Sequence, residues 1–313
     1  MAANPNATSL SENLRRGWAA LPASYAIPEH PPSLAEAQLY CERLARTHYE
    51  NFSVASWFLP QHLRQHFFNV YAYCRISDDL GDEVPNPSQA LALLDQWERE
   101  LARCYEGGPR HPVFVALRET VQLLDIPRQP FSDLLRAFRQ DQRTSRYETF
   151  EDVLQYCRYS ANPVGHLVLY VCGYRDADRQ QLSDFTCTAL QLANFWQDVA
   201  VDYRKGRIYL PLEDLHRFGV EESVISGGIA THEFLELMRF EVHRAREWFR
   251  RGLSLTKQIS RDLAVDIELF SRGGLEILNA IERLGFDVLK RRPVISKARK
   301  LMLVGRAALG KLF

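Results

Sequence analysis

From residue 33 onward, apolar positions recur every three or four residues and proline or glycine interrupts them at intervals, the pattern of amphipathic helices rather than strands. The spacing predicts helices over 33–50, 61–81, 88–106, 111–125, 130–141, 149–172, 176–203, 232–258 and 260–289. Ser33 ahead of Leu34, Ala35 and Glu36 reads as an N-cap with a glutamate at the third helical position. Pro60, Pro130 and Pro211 read as starts or boundaries. No run of alternating β-branched residues lies between turn pairs, so no sheet is expected. Residues 1–32 are rich in Pro, Asn, Ser and Ala, end in His30, Pro31 and Pro32, and read as an extended, weakly ordered arm. No long linker, composition break or tandem repeat divides 33–313, which points to a single all-α domain.

Composition changes this picture little. The chain has 313 residues, 46% hydrophobic and 25% charged, as an ordinary globular protein has. Its 39 basic residues balance 39 acidic ones, so no global field argues for nucleic acid as a partner. Distribution matters more than total: residues 290–313 hold eight Lys or Arg and no Asp or Glu, interleaved with Leu301, Met302, Leu303, Val304, Leu309, Leu312 and Phe313. Such a tail suits peripheral contact with an anionic membrane surface. The six cysteines show no metal or disulfide spacing and read as reduced thiols. The start of the chain has no secretion-signal pattern and no segment is apolar enough to span a bilayer, so the expected location is cytoplasmic, peripheral to the inner face of the membrane.

Two clusters carry candidate chemistry. In the first, Tyr71, Arg75, Asp78 and Asp82 fall within about 60° on one helix face, and Asp79 and Glu83 add two more carboxylates. Like charges four residues apart oppose one another on a helix, and aspartates near a helix C-terminus are unfavourable, unless a cation compensates. Mg2+ takes hard oxygen ligands, commonly one or two carboxylates together with substrate phosphates, and Asp78 and Asp82 suit it. The plainer reading is a solvated acidic helix end near Gly81. In the second cluster, Gln191, Asn194, Asp198 and Asp202 form a polar stripe about 80° wide. It is embedded among Leu190, Leu192, Ala193, Phe195, Trp196, Val199 and Val201. Buried amides and carboxylates need partners, supplied either by metal and ligand or by an internal hydrogen-bond network. Arg204, Lys205 and Arg207 follow, placed to cap a diphosphate or to complement the helix end. Ionising a diphosphate leaves a carbocation that aromatic faces stabilise, and Phe52, Tyr71, Tyr73, Tyr156, Tyr159, Phe195 and Trp196 are the candidates. Most aromatics of a helical protein are simply core.

From Tyr49 to the C-terminus these stretches resemble the squalene and phytoene synthase family. The resemblance rests on Tyr71 through Arg75 with Asp78, Asp79 and Asp82; on Asp141 followed by Arg146, Tyr147, Thr149 and Phe150; and on Tyr156-Cys157. It continues through the stripe from Gln191 to Asp202, Gly206 through Pro211, and Phe286 through Leu289 with Arg291. It implies the isoprenoid synthase fold with a central cavity, Mg2+ on Asp78, Asp79, Asp82, Asp198 and Asp202, phosphates on Arg75 and Arg291, and Tyr156 at the reacting centre. Gln191, Asn194, Arg207 and Asn51 are the other substrate-binding candidates; Tyr71, Phe52 and Asn162 join Tyr156 as catalytic ones.

Within the family the chain is most similar to bacterial enzymes that convert presqualene diphosphate to hydroxysqualene. The pointers are Asn51 through Trp57, Asp78 through Glu83, Asn162 through Gly165, and Asn194 through Asp198. Many relatives carry a Ser-x-Ser-Phe element where Tyr49, Glu50, Asn51 and Phe52 stand here, a Val-Ala-Gly stretch where Ser160, Ala161, Asn162 and Pro163 stand, and in some cases a tyrosine where Gly274 stands. Pro163 is expected to kink or end its helix and free carbonyls, and Asn162 to hold the water that captures the cation. The resemblance implies no NADPH, and functional coupling to a presqualene diphosphate synthase and a flavin-dependent hydroxysqualene reductase. The competing readings are head-to-head condensation of two farnesyl diphosphates to presqualene diphosphate or squalene, and a non-catalytic helical assembly factor.

Overall fold

The computed structural model describes residues 5–47, 60–296, 298, 299, 301–303 and 305, and side chains from Glu12 onward. Asn51 and Phe52 lie outside the described residues. Thirteen α-helices and no strand occur among those described: α1 (Pro5–Ala19), α2 (Leu34–Thr47), α3 (Arg64–Asp82), α4 (Pro87–Glu106), α5 (Pro112–Leu123), α6 (Gln129–Asp141), α7 (Phe150–Ser160), α8 (Asn162–Val171), α9 (Ala177–Arg204), α10 (Leu212–Phe218), α11 (Glu222–Gly227), α12 (His232–Gly252) and α13 (Arg261–Arg283). The predicted 149–172 helix divides at Asn162-Pro163 into α7 and α8, because proline has no N–H for the carbonyl of the preceding turn. The predicted 232–258 helix ends its α-form at Gly252 and finishes as a 3-10 turn, Leu253–Lys257.

Contacts group the described residues into two compact units: 5–47, 60–143 and 166–174 in the first, and 144–165 with the described residues from 175 onward in the second. In the first, α3 packs on α2, α4, α5 and α6. The core here is Tyr73, Ile76, Leu80, Leu93, Leu94, Trp97, Phe114 and Phe131. Its polar atoms are used: Trp97 donates to Ser77 Oγ at 2.9 Å, Ser77 Oγ to the Tyr73 carbonyl at 2.7 Å, and Tyr73 Oη to the Phe131 carbonyl at 2.8 Å. Ser33 and Glu36 form the anticipated reciprocal cap on α2 (Ser33 N to Glu36 Oε2, 2.9 Å).

The N-terminal arm departs from expectation. Pro5–Ala19 is helical and packs on α4, Gly17 lies tight against Leu93, and Trp18 donates to Gln96 at 2.9 Å. Its own composition is too polar to signal a helix; burial against α4 supplies the stabilisation that propensity does not.

In the second unit α9 is central, flanked by α7, α12 and α13, around Trp196, Phe234, Leu237, Met238, Phe249, Leu278 and Ile281. Close approach depends on glycine at two places. A Cβ on Gly252 would stand 2.2 Å from Thr186 Oγ1, and one on Gly274 would stand 2.3 Å from Phe249 Cζ. Buried Asp214 and Glu241 share the guanidinium of Arg244, which also lies over the Phe150 and Phe240 rings.

Candidate functional site

In the first unit the acidic cluster ends α3. Tyr71, Arg75, Asp78 and Asp82 are all half-buried along one face, as the periodicity predicts. Asp79 is different: it is 5% exposed, and both its oxygens are engaged. Arg75 grips it through Nη2 to Oδ1 and through Nε to Oδ2 (3.0 Å), and Tyr25 Oη donates to Oδ2 at 2.7 Å. Asp79, expected from resemblance to bind metal, is the residue that anchors Arg75 here. Asp78 and Asp82 are the half-buried carboxylates of this face.

Asp78 is crowded by charge. Its carboxyl is pushed up to about 7 by desolvation, then by the neighbouring charges of Asp82, Asp79 and Asp141, against the pull of Arg75. Water still reaches 48% of the side chain, which softens the first cause and leaves the surrounding carboxylates as the durable one. Asp141 comes close because α6 lies tight on α3: a Cβ on Gly81 would stand 3.1 Å from Phe138 Cβ, and Gln142 Nε2 donates to the Gly81 carbonyl at 2.8 Å.

In the second unit the stripe on α9 has the predicted composition, and its burial is graded. Asn194 is exposed, and Gln191, Asp198 and Asp202 are half-buried. Asp198 accepts from Asn194 Nδ2 at 3.1 Å and is held by both Nε and Nη2 of Arg292, the latter at 3.0 Å. These bonds hold the Arg292 proton more firmly. Arg291, the arginine anticipated from the motif, is exposed and has no ion pair among the described residues; its neighbour takes the position on the stripe. Gln197 Nε2 reinforces this by donating to the Pro293 carbonyl at 2.6 Å.

The segment 145–148 runs against 206–213, bonded through Ile208 N to the Ser145 carbonyl and Leu212 N to the Tyr147 carbonyl, both 2.9 Å. Gly206, at φ 81°, turns the chain after α9 in a conformation a side chain would resist, and Arg146 clamps its carbonyl at 2.7 Å. Arg207 is thereby fixed at the end of the stripe, its N–H donating to the Asp202 carbonyl at 2.9 Å. Tyr156, 4% exposed, sits among Tyr147, Tyr209 and Phe195, with centroids 5.6, 5.7 and 6.1 Å away. Phe195 stacks on Tyr209 at 3.8 Å. Trp196 and Tyr73, also candidates, are wholly core residues.

Asn162 is 8% exposed at the α7–α8 break. Its Oδ1 accepts from Thr188 Oγ1 at 3.0 Å, which leaves the amide NH2 as its remaining hydrogen-bonding group there. At the break itself the Ala161 carbonyl accepts from Val164 N at 3.1 Å. Thr188 is one turn before Gln191 on α9, on the side of the helix that carries the stripe.

Sequence reasoning did not single out Tyr25, Thr188 or Arg292. Tyr25 lies in an aperiodic arm, Thr188 is a common helix residue, and Arg292 is one of eight cations in the tail.

Among the described residues no group of three or more His, Cys, Asp or Glu forms a closed metal cage. Mg2+ does not require one, since it keeps waters and borrows phosphate oxygens. The mutual repulsion around Asp78, which a divalent cation would relieve, makes Asp78 and Asp82 fit such an ion, and the half-buried Asp198 and Asp202 offer the same donors.

Comparison with known proteins bears on what these groups serve. A profile of the squalene/phytoene synthase family matches residues 45–299. The 15-cis-phytoene synthase of Synechococcus elongatus is 32% identical over 291 residues, covering 88% of this chain and 94% of that protein. Among solved structures, squalene synthase HpnC from Alicyclobacillus acidocaldarius is 43% identical with a TM-score of 0.78, covering 86% of this chain and 98% of that one. A ligand-bound dehydrosqualene synthase is 28% identical with a TM-score of 0.81, covering 90% and 98%. With the family profile matching most of its length and an all-helical fold shared with these solved structures, the chain belongs to the squalene/phytoene synthase family, enzymes of head-to-head isoprenoid condensation.

Proposed function

We propose that this protein is a hydroxysqualene synthase: it ionises presqualene diphosphate, lets the cation rearrange, and captures it with water. The carbon–oxygen bond to diphosphate breaks and both electrons leave with diphosphate. A water oxygen then forms the new carbon–oxygen bond and loses one proton. No electron donor is needed, whereas ending the same cation as squalene requires a hydride. Similarity to the squalene synthase HpnC, over 98% of that chain, supports a reaction on the squalene side of the family. The observation that favours the alcohol is Asn162, a buried amide whose oxygen is taken by Thr188, so that its NH2 is left to hold a water by donating to it.

In this reading Mg2+, when bound, supplies charge neutralisation for the departing diphosphate, and Asp78, Asp82, Asp198 and Asp202 are the residues that would hold it. Arg75, braced by Asp79 and Tyr25, presents a guanidinium with little freedom to lose on meeting a phosphate. Arg207, Gln191 and Asn194 supply further donors along α9. Tyr156, Tyr147, Tyr209 and Phe195 surround the reacting chain with faces that stabilise positive charge and exclude stray water.

Condensation of two prenyl diphosphates is the second reading, favoured by the phytoene synthases among the relatives. Incubation of the purified chain with Mg2+ and either presqualene diphosphate or farnesyl diphosphate, with and without NADPH, followed by mass analysis, separates them. The alcohol formed from presqualene diphosphate without NADPH is the expected result. Squalene formed only with NADPH, or condensation products from farnesyl diphosphate with no alcohol from presqualene diphosphate, would replace the proposal with the second reading.

A further inference from the structure

We infer that the segment after α13, from Lys290 to Met302, is a docking surface for an anionic lipid bilayer. This stands apart from the catalytic reading and does not depend on it.

The chain turns sharply after α13, with Gly285 and Phe286 at φ 63° and 68° and the Lys290 N–H donating to Asp287 Oδ1 at 3.1 Å. Two arginines then staple the segment down. Arg292 is held by Asp198 on α9, and Arg299 lies 3.3 Å from Glu276 on α13. Glu276 is itself fixed by Asn279 and Arg283. Gln197 bonds the Pro293 carbonyl between them. With Arg292 and Arg299 turned toward the protein, other residues are left outward.

Those residues are of two kinds. Val294, Leu301 and Met302 are 64%, 74% and 46% exposed, three large apolar side chains within nine residues. Lys290 and Arg291 are exposed cations with no ion pair among the described residues. No acidic residue follows Asp287, and the sequence goes on to Arg306 and Lys311 among Leu309, Leu312 and Phe313. Apolar side chains beside unpaired cations, with nothing negative to repel phosphate headgroups, match the surface of an anionic bilayer on both counts. A protein partner carrying acidic side chains would satisfy the cations but gives no role to three scattered apolar residues on so short a segment. No helix among the described residues is long and apolar enough to cross a membrane, so contact through this segment would be peripheral.

The test is co-sedimentation of the full chain with vesicles of phosphatidylcholine alone and of phosphatidylcholine with about 30% phosphatidylglycerol, at 0.1 and ~0.5 M salt. Binding to the anionic vesicles, weakened at high salt and much lower on neutral ones, is expected. Lys290→Gln should lower partitioning about fivefold, and the double change Leu301→Gln with Met302→Gln more than about tenfold. Leu123→Gln and Ile229→Gln, at exposed apolar positions elsewhere, should leave it unchanged. All five positions are exposed, so the variants keep their fold, checked by circular dichroism. Absence of anionic binding, equal binding to both vesicles, or equal loss in the Leu123 and Ile229 controls would overturn the inference.

Discussion

Asp78 and Asp79 are neighbours in sequence, yet one turns to the open face of α3 and the other into the protein against Arg75 and Tyr25. Their substitution should therefore read differently. Asp78→Asn is expected to leave the melting temperature nearly unchanged, or slightly raised by relieved repulsion, while lowering kcat about a hundredfold or more. Asp79→Asn should cost about 3 kcal/mol of stability, because it leaves the Arg75 guanidinium and the Tyr25 hydroxyl short of a buried acceptor. Thermal melts beside steady-state kinetics distinguish the two. Thr188 offers a finer probe. Thr188→Val removes the donor that orients Asn162 and should shift product away from the alcohol, while Thr188→Ser should restore it. Chromatographic product ratios check this, and an unchanged ratio in the valine variant would remove Asn162 from the water-holding role.

At the level of helices, close approach rather than propensity explains the least obvious residues. Gly273 and Gly274 are adjacent in α13 but face opposite circumstances. A Cβ at 273 meets nothing within 4 Å, and one at 274 strikes Phe249 and Leu190. Gly273→Ala should stabilise the chain by about 0.5–1 kcal/mol through reduced backbone freedom in the unfolded state. Gly274→Ala should destabilise it by about 1–3 kcal/mol through overpacking. Urea titration of the two variants beside the parent measures both. A tyrosine at 274, as in some relatives, would demand a different seat for Phe249. The helices from α2 to α9 were legible from sequence because their apolar stripes and caps are local signals, such as Ser33 with Glu36 and the break at Pro163. Helix α1 was not, since its stability comes from α4. Nor was the choice of Arg292 over Arg291 for Asp198, which depends on the turn at Gly285 and Phe286 that no periodicity encodes. The two acidic faces were readable as faces. Which aspartate turns inward was not, because Tyr25 arrives from a distant and aperiodic part of the chain.

For the molecule as a whole, acid sensitivity follows from a histidine that belongs to neither carboxylate stripe. His111 is fully buried between α4 and α5, caps α5 by accepting from Val113 N through Nδ1, and is pushed down to about 3 by burial, against nearby backbone groups of Ser24 and Tyr25. Its folded pKa lies below its unfolded value near 6.5, so its contribution is intact above about pH 6.5 and is lost as pH falls toward 3, by up to about 1.4 kcal/mol per unit. His111→Asn keeps a capping acceptor and should flatten the decline between pH 6.5 and 5 relative to the parent. Denaturant midpoints across that range are the check. The contact between Arg292 and Asp198 has a different reach. The protein carries its own counter-ion on the stripe, so a divalent cation arriving alone must compete with a guanidinium, whereas a diphosphate arriving with it offers that guanidinium somewhere else to go. Metal and diphosphate should thus bind as a cooperative pair. By calorimetry, Mg2+ should bind weakly to the parent and more tightly once inorganic pyrophosphate is present, and Arg292→Gln should bind Mg2+ better alone and gain less from pyrophosphate.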